Sequence, residues 1–376
     1  MNFRHSLCLP GFLCIVLSFF AGTVVSPQSF AQTNMARECL TPAGSVSLDG
    51  VEGRLDHLAF DPATQRLFIA GLENHTIEVV DLDKRQRVHQ IPLVLEPQGL
   101  AFIPGASCLL ACSRGDGTCR SFDANTFEEG PWVDLGWNAD NIRFDSRDNL
   151  VVVGSGSEPG AGLISMMDLA SLLPANRGGA PAPPGSPADF RLDHPRQGKV
   201  KAAVELPAHP ESFQVDPDGR RIFVNVPDEH QIIVIALTTH GPEISARWPV
   251  TVGQKNFPMA LDAARNHLYI ACRKPSLLAT YDTESGRMLS QTPCVGDADD
   301  VFCDAETHRL YVIGGEGFVD VFQVPEKGDD LMRVQRLSTV PRARTGRFIP
   351  ELKLLAVAIP HTTNSAAAVW LYRINP

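Results

Sequence analysis

A chain of 376 residues with 44% hydrophobic and 20% charged residues has ample material for a core and is not a disordered tail. Its 30 glycines and 29 prolines suit many tight turns rather than long helices. The net charge of −10 argues against nucleic acid as the partner, because phosphate binders carry basic surfaces.

The first segment, 1–31, reads as a secretory signal. Arg4 and His5 form a short basic start, Leu7 to Phe20 is largely apolar, and Ser29 and Ala31 sit at the −3 and −1 positions of a cleavage site. The apolar run is short for a membrane span, which needs about 20 residues. No transmembrane anchor is expected after cleavage, and a periplasmic or secreted location follows. Residues 32–376 hold seven cysteines: 39, 108, 112, 119, 272, 294 and 303. Export permits disulfides, and an odd count leaves at least one thiol unpaired within the chain. Cys112 and Cys119 flank a turn-like stretch and are placed to face each other across a hairpin. No CxxC pair occurs, which argues against a structural zinc site.

From Leu58 onward one pattern recurs: a short apolar strand, often ending in Asp, then a turn, then an apolar run. Its anchor residues are Asp61, Ile103, Asp145, Asp216, Asp262, Asp304 and Ile349, separated by 42, 42, 71, 46, 42 and 45 residues. Each unit has room for four short strands; in the first they fall near 57–60, 66–70, 76–81 and 87–93. A period of about 40–45 residues with four strands marks a propeller blade. The one long interval contains a Pro/Gly-rich stretch, 174–199, expected as a loop insertion between the last two strands of the third unit. The seventh unit supplies three strands, at 346–349, 353–359 and 367–373. An unassigned strand at 44–49 is expected to complete it from outside and so close the ring. The expectation is therefore an all-β protein: a single seven-bladed β-propeller over 32–376.

Pro97–Phe102 (PQGLAF), Arg309–Val312 (RLYV) and the strand end Val80-Asp81 resemble the exported YncE-like, YVTN-type propeller repeat proteins, and the resemblance spans all seven units. Three segments, 209–213, 256–260 and 296–300, depart from a generic YVTN repeat and look like those of a bacterial subgroup described only as YncE-like. The resemblance implies the architecture and transfers no activity.

The repeat phase also locates polar groups. Five residues before the anchors stand Asp56, Gln98, Asp140, Glu211, Phe257, Asp299 and Arg344. Four before stand His57, Gly99, Asn141, Ser212, Pro258, Asp300 and Thr345. Seven before stand Arg54, Glu96, Asn138, His209, Lys255, Asp297 and Arg342. Sevenfold geometry would gather these positions at the mouth of the central channel. The candidate ligand-binding set is Arg54, Asp56, His57, Gln98, Asp140, Asn141, His209, Glu211, Asn256, Asp299, Asp300 and Arg344. Asp56, Asp140, Glu211 and Asp300 are candidate ligands for a divalent cation such as Ca²⁺, which takes six to eight oxygens. Asp61, Asp145, Asp216, Asp262 and Asp304 fall after their strands and are expected to form turns; Asp81, Asp168 and Asp282, which end third strands, are read the same way.

Three functions stay open. The first is a monomeric exported module binding a small polar molecule or a protein partner at the mouth. The second is a metal-dependent, lactonase-like hydrolase using the mouth carboxylates, with the cation polarising a carbonyl. The third is a structural or interaction protein of the cell envelope. GxSxG, HExxH, P-loop and CxxCH motifs are absent from the sequence.

Overall fold

The computed structural model describes residues 38–156, 160–173 and 197–376. Among these the chain forms seven antiparallel sheets of four strands, and together they make an all-β seven-bladed propeller. Blade 1 runs from its inner strand Leu58–Asp61 through Arg66–Gly71 and Thr76–Asp81 to the outer strand Gln86–Pro92. Blades 2 to 6 span 97–134, 142–206, 213–249, 254–293 and 298–338. Blade 7 takes 346–374 and one strand from the other end of the chain.

The sequence dictates which strands lie inside. Second strands are covered on both faces, so their centres read as apolar runs. Leu67–Ala70, Ile222–Val224 and Leu310–Ile313 are all fully buried. Outer strands meet water on one face and alternate, as in Ala202–Leu206. Burial is concentrated in seven clusters, one between each pair of neighbouring blades. Phe223, Trp248, Ile270 and Tyr281, for example, fill the space between blades 4 and 5.

The aspartates after the strands work as turn formers. Asp61 accepts a bond from the Ala63 N–H at 2.9 Å and Asp304 from the Glu306 N–H at 3.0 Å. Asp145, Asp216, Asp262, Asp81 and Asp282 likewise accept from N–H groups two or three residues on. Asp168 instead pairs with Lys201 at 2.8 Å.

The ring closes through the strand Leu40–Ser47, which pairs antiparallel with Ala368–Ile374 from Leu40 opposite Ile374 to Ser47 opposite Ala368. It starts four residues earlier than the sequence suggested, because Leu40 and Cys39 also pack into the cluster between blades 6 and 7. Val46 and Leu48 fill the cluster between blades 7 and 1. Gln335, on the outer strand of blade 6, holds Leu40 through two bonds of 2.8 and 2.9 Å.

In blade 3 the third strand, Gly162–Asp168, pairs with the outer strand Ala202–Leu206, and the Pro/Gly-rich stretch lies between them in sequence. Its residues 174–196, like the segment 1–31, lie outside the described residues. Cys112 and Cys119 stand directly opposite each other in the blade 2 hairpin, buried; all seven described cysteines are free thiols, and all but Cys303 are buried.

Candidate functional site

The inner strands of blades 1 to 6 open with an irregularity that aims polar side chains at the axis. In blade 1 the Asp56 N–H donates to the Ala70 carbonyl at 2.8 Å, and the Ala70 N–H donates to the His57 carbonyl at 3.1 Å. Two residues thus oppose one, which is a β-bulge. The same exchange joins Asp140 and Asn141 to Gly154, and Glu211 and Ser212 to Asn225. In blades 2, 5 and 6 the inner strand shifts register between Pro97 and Leu100, Asn256 and Met259, and Ala298 and Asp300. A regular strand would send neighbours to opposite faces. The bulge lets adjacent residues serve the same channel at two depths.

Two cavities follow from this. An upper one of about 170 Å³ opens at the mouth and is lined by Arg54, Gln98, Asp140, His209, Glu211, Asp299 and Arg344 from the expected set. A lower chamber of about 420 Å³ is lined by His57, Asn141 and Asp300. Asp56 is buried beside them, 1% exposed, and borders neither. Asn256 sits elsewhere: fully buried, it donates to Asn225 Oδ1 at 2.9 Å and to the Gln231 carbonyl at 3.2 Å, a structural role within blades 4 and 5.

The upper cavity is an ion-pair lattice. Asp299 is bracketed by three guanidinium groups: Arg273 at 2.6 Å, Arg344 at 2.9 Å and Arg54 at 3.7 Å. Asp297 adds a second carboxylate, 3.3 Å from Arg273 and 3.2 Å from Arg344. The Arg273 guanidinium also stacks over the Phe257 ring, 3.8 Å from its centroid. Lys255 pairs with Asp228 at 3.1 Å on the rim.

Between the cavities the carboxylates Asp56 and Asp140 are driven apart. Burial pushes the Asp56 carboxyl up, against the pull of Arg54 at 2.8 Å. Burial also opposes charge on Asp140, but His209, His57 and Arg54 outweigh it and hold that carboxyl below its usual range. Burial would by itself lower His57; the Asp300, Asp56 and Asp140 carboxylates win and raise it to about 10. His57 is therefore an imidazolium at neutral pH, with Nδ1 3.6 Å from Asp300. Gly99 has no side chain because the Asp140 carbonyl oxygen occupies its place: a Cβ there would lie 2.0 Å from it.

Among the described residues no group of three or more His, Cys, Asp or Glu side chains is arranged to hold a metal ion. Asp56, Asp140, Glu211 and Asp300 do not converge as a Ca²⁺ site would require. They are split between two cavities and a buried layer, and Asp56, Asp140 and Asp300 face Arg54, His209 and His57 respectively.

Sequence phase missed Arg114 and Arg273 at the mouth. Both stand eleven residues after their anchors, at the end of the second strand, a phase held elsewhere by Leu72, Gly156, Pro227, Gly315 and Pro360. Only comparison of that later phase across the blades would have exposed them.

No protein-family model matches the chain, and no curated protein matches it. Solved structures do. The chain is similar to a chain of Kuenenia stuttgartiensis hydrazine synthase, at 13% identity and a TM-score of 0.59, covering 72% of this chain and 84% of that one. It is also similar to a chain in a crystal structure of the mitotic checkpoint complex, at 10% identity and a TM-score of 0.69, covering 96% and 99%. At these identities the likeness concerns the fold alone: both neighbours are propellers.

Proposed function

We propose that this chain is an exported, YncE-like propeller that binds a small polar ligand at the mouth of its channel. A propeller fold supports a binding or scaffold role in general. The observation that carries the finer reading is the set of three arginines held around Asp299 in a cavity open to solvent. Guanidinium forks are preorganised for carboxylate and phosphate geometry. A ligand anion would take up fork positions now shared by Asp297 and Asp299, and the Phe257 face beneath Arg273 would support a flat ligand body. The hydrolase reading lacks a comparable support among the described residues, where no three His, Cys, Asp or Glu side chains are grouped to hold a metal.

The test is a thermal-shift screen of small anionic and zwitterionic compounds, followed by calorimetric titration of hits. Arg273→Gln should weaken a mouth ligand at least about tenfold, the cost of one charge-assisted pair. Lys84→Gln, on a distant surface turn, should leave it unchanged. A screen without hits, or hits indifferent to Arg273, overturns the reading. Export is tested separately, by sequencing the N-terminus of protein released by osmotic shock, with cleavage after Ala31 expected.

A further inference from the structure

The lower chamber carries a feature that the mouth does not explain. Two residues before the seven anchors stand Ala59, Ala101, Arg143, Gln214, Ala260, Phe302 and Arg347. All seven line the chamber, in keeping with a strand periodicity of two, since His57, Gly99, Asn141, Ser212 and Asp300, four before their anchors, line it too. Five are uncharged. The two arginines come from blades 3 and 7, which are separated by two blades on one side and three on the other. They face each other across the channel.

Their partners differ from those at the mouth. Arg54, Arg273 and Arg344 each touch a carboxylate. Among the described residues Arg143 and Arg347 have no ion pair with any carboxylate. Arg143 donates to the neighbouring Ile142 carbonyl at 2.8 Å and to Ser212 Oγ at 3.3 Å, and its guanidinium lies over Phe213 at 5.5 Å. The Arg347 guanidinium makes no hydrogen bond among the described residues and lines the open space of the chamber. The chamber's one carboxylate, Asp300, is engaged already: Oδ2 accepts the Gly346 N–H at 2.8 Å and Oδ1 faces His57 at 3.6 Å. Burial, and to a lesser degree the neighbouring Arg347 charge, pull Arg143 down to about 10 against the attraction of Asp300 and Asp140, and desolvation lowers Arg347 against Asp300 and Glu351. Both remain cationic at neutral pH. Three cations, Arg143, Arg347 and His57, therefore surround a water-accessible space that holds a single carboxylate.

Two guanidinium groups that share one distant carboxylate across a water-accessible chamber are incompletely balanced, and an anion bound between them would supply the missing counter-charge. We infer that the lower chamber is a second binding site, for a small oxyanion gripped between Arg143 and Arg347. Carboxylate and phosphate present the same oxygens to a guanidinium fork. The small side chains Ala59, Ala101 and Ala260 leave room for a short carbon body, and the Phe302 ring adds an apolar wall.

The experiment uses the mature full-length protein in chloride-poor buffer, with malonate, succinate and glutarate in one arm and inorganic phosphate in the other. A ligand at about a hundred times its Kd should raise Tm by about 2–5 °C. In an Arg273→Gln background, which removes the mouth's own response, Arg347→Gln and Arg143→Gln should abolish that rise, whereas Lys84→Gln should retain it. A second readout separates binding from packing. Arg347→Gln relieves the repulsion, so without added anion its Tm should equal or exceed that of the wild type; a merely structural arginine would lower it. A preference for a dicarboxylate identifies an organic anion, and a preference for phosphate the inorganic one; either supports the site. No response in either arm, or a response that survives both Arg143→Gln and Arg347→Gln, overturns it.

Discussion

Asp299 is the residue on which the mouth depends. Its carboxylate compensates Arg54, Arg273 and Arg344 at once. Without it Arg273 and Arg344 would keep only Asp297, and Arg54 only Asp56, in a cavity open to solvent, so the cost should fall below the about 3–5 kcal/mol of a fully buried pair. Asp299→Ala and Asp299→Asn should both lower the urea midpoint by comparable amounts, since charge and not shape is lost. A near-neutral Asn variant would show that the arginines are solvated well enough alone. His57 gives a pH signature. Its folded value, raised to about 10, exceeds the ordinary 6.5, so its charged contacts stabilise fully below 6.5 and are lost as pH rises through about 10. The Tm advantage of wild type over His57→Gln should be greatest near about pH 6 and shrink toward about pH 10. A constant gap would assign His57 a packing role only.

The elements that build the mouth share a backbone device. Seven residues before the anchors, Glu96, Asn138, Lys255, Asp297 and Arg342 adopt positive φ, between 39° and 72°. Left-handed backbone costs a non-glycine residue about 1 kcal/mol or more, so five such residues at one phase mark a turn kept for its side chains. Arg342→Gly removes the strain and only an exposed, 3.6 Å pair with Glu73. It should raise stability by about 0.5–1 kcal/mol in urea unfolding. A loss would mean that the side chain matters more to the fold than its exposure indicates. The bulges that follow then split consecutive residues between the two cavities, as with Asp299 above and Asp300 below.

At the scale of the molecule, stability resides in seven interfaces arranged in a circle, and two of them depend on one N-terminal strand. Leu40 and Val46 are almost completely buried, in the clusters on either side of blade 7. Deleting 38–47 would expose the edge of Ala368–Ile374 and open both clusters. The truncated protein should lose its cooperative melt or show a Tm lower by about 10 °C or more, beyond what trimming a free terminus costs. An unchanged Tm would show that the ring holds without its clasp.

Fold was legible because it is written as repetition. Anchors spaced by 42 residues, with apolar runs at fixed offsets, admit few arrangements other than blades around an axis, and a three-stranded last unit beside an unassigned first strand requires a clasp. Much of the channel was legible for the same reason: Arg54, Asp140, His209, Asp299 and Arg344 were found by phase and do meet at the mouth. Asn256, six residues before its anchor and outside the phases read in the sequence, does not line the mouth, because the blade 5 bulge turns it inward to Asn225. Nor did phase single out Arg114, Arg143, Arg273 or Arg347, which are isolated exceptions in columns of small or apolar residues. The sequence by itself determined blade number, blade order and the strand that closes the ring, since these follow from local periodicity and burial. The tertiary structure alone decided which charges meet. Ion pairs join residues from different blades, and their partners are set by bulges and by closure of the circle, neither of which leaves a mark in any one repeat.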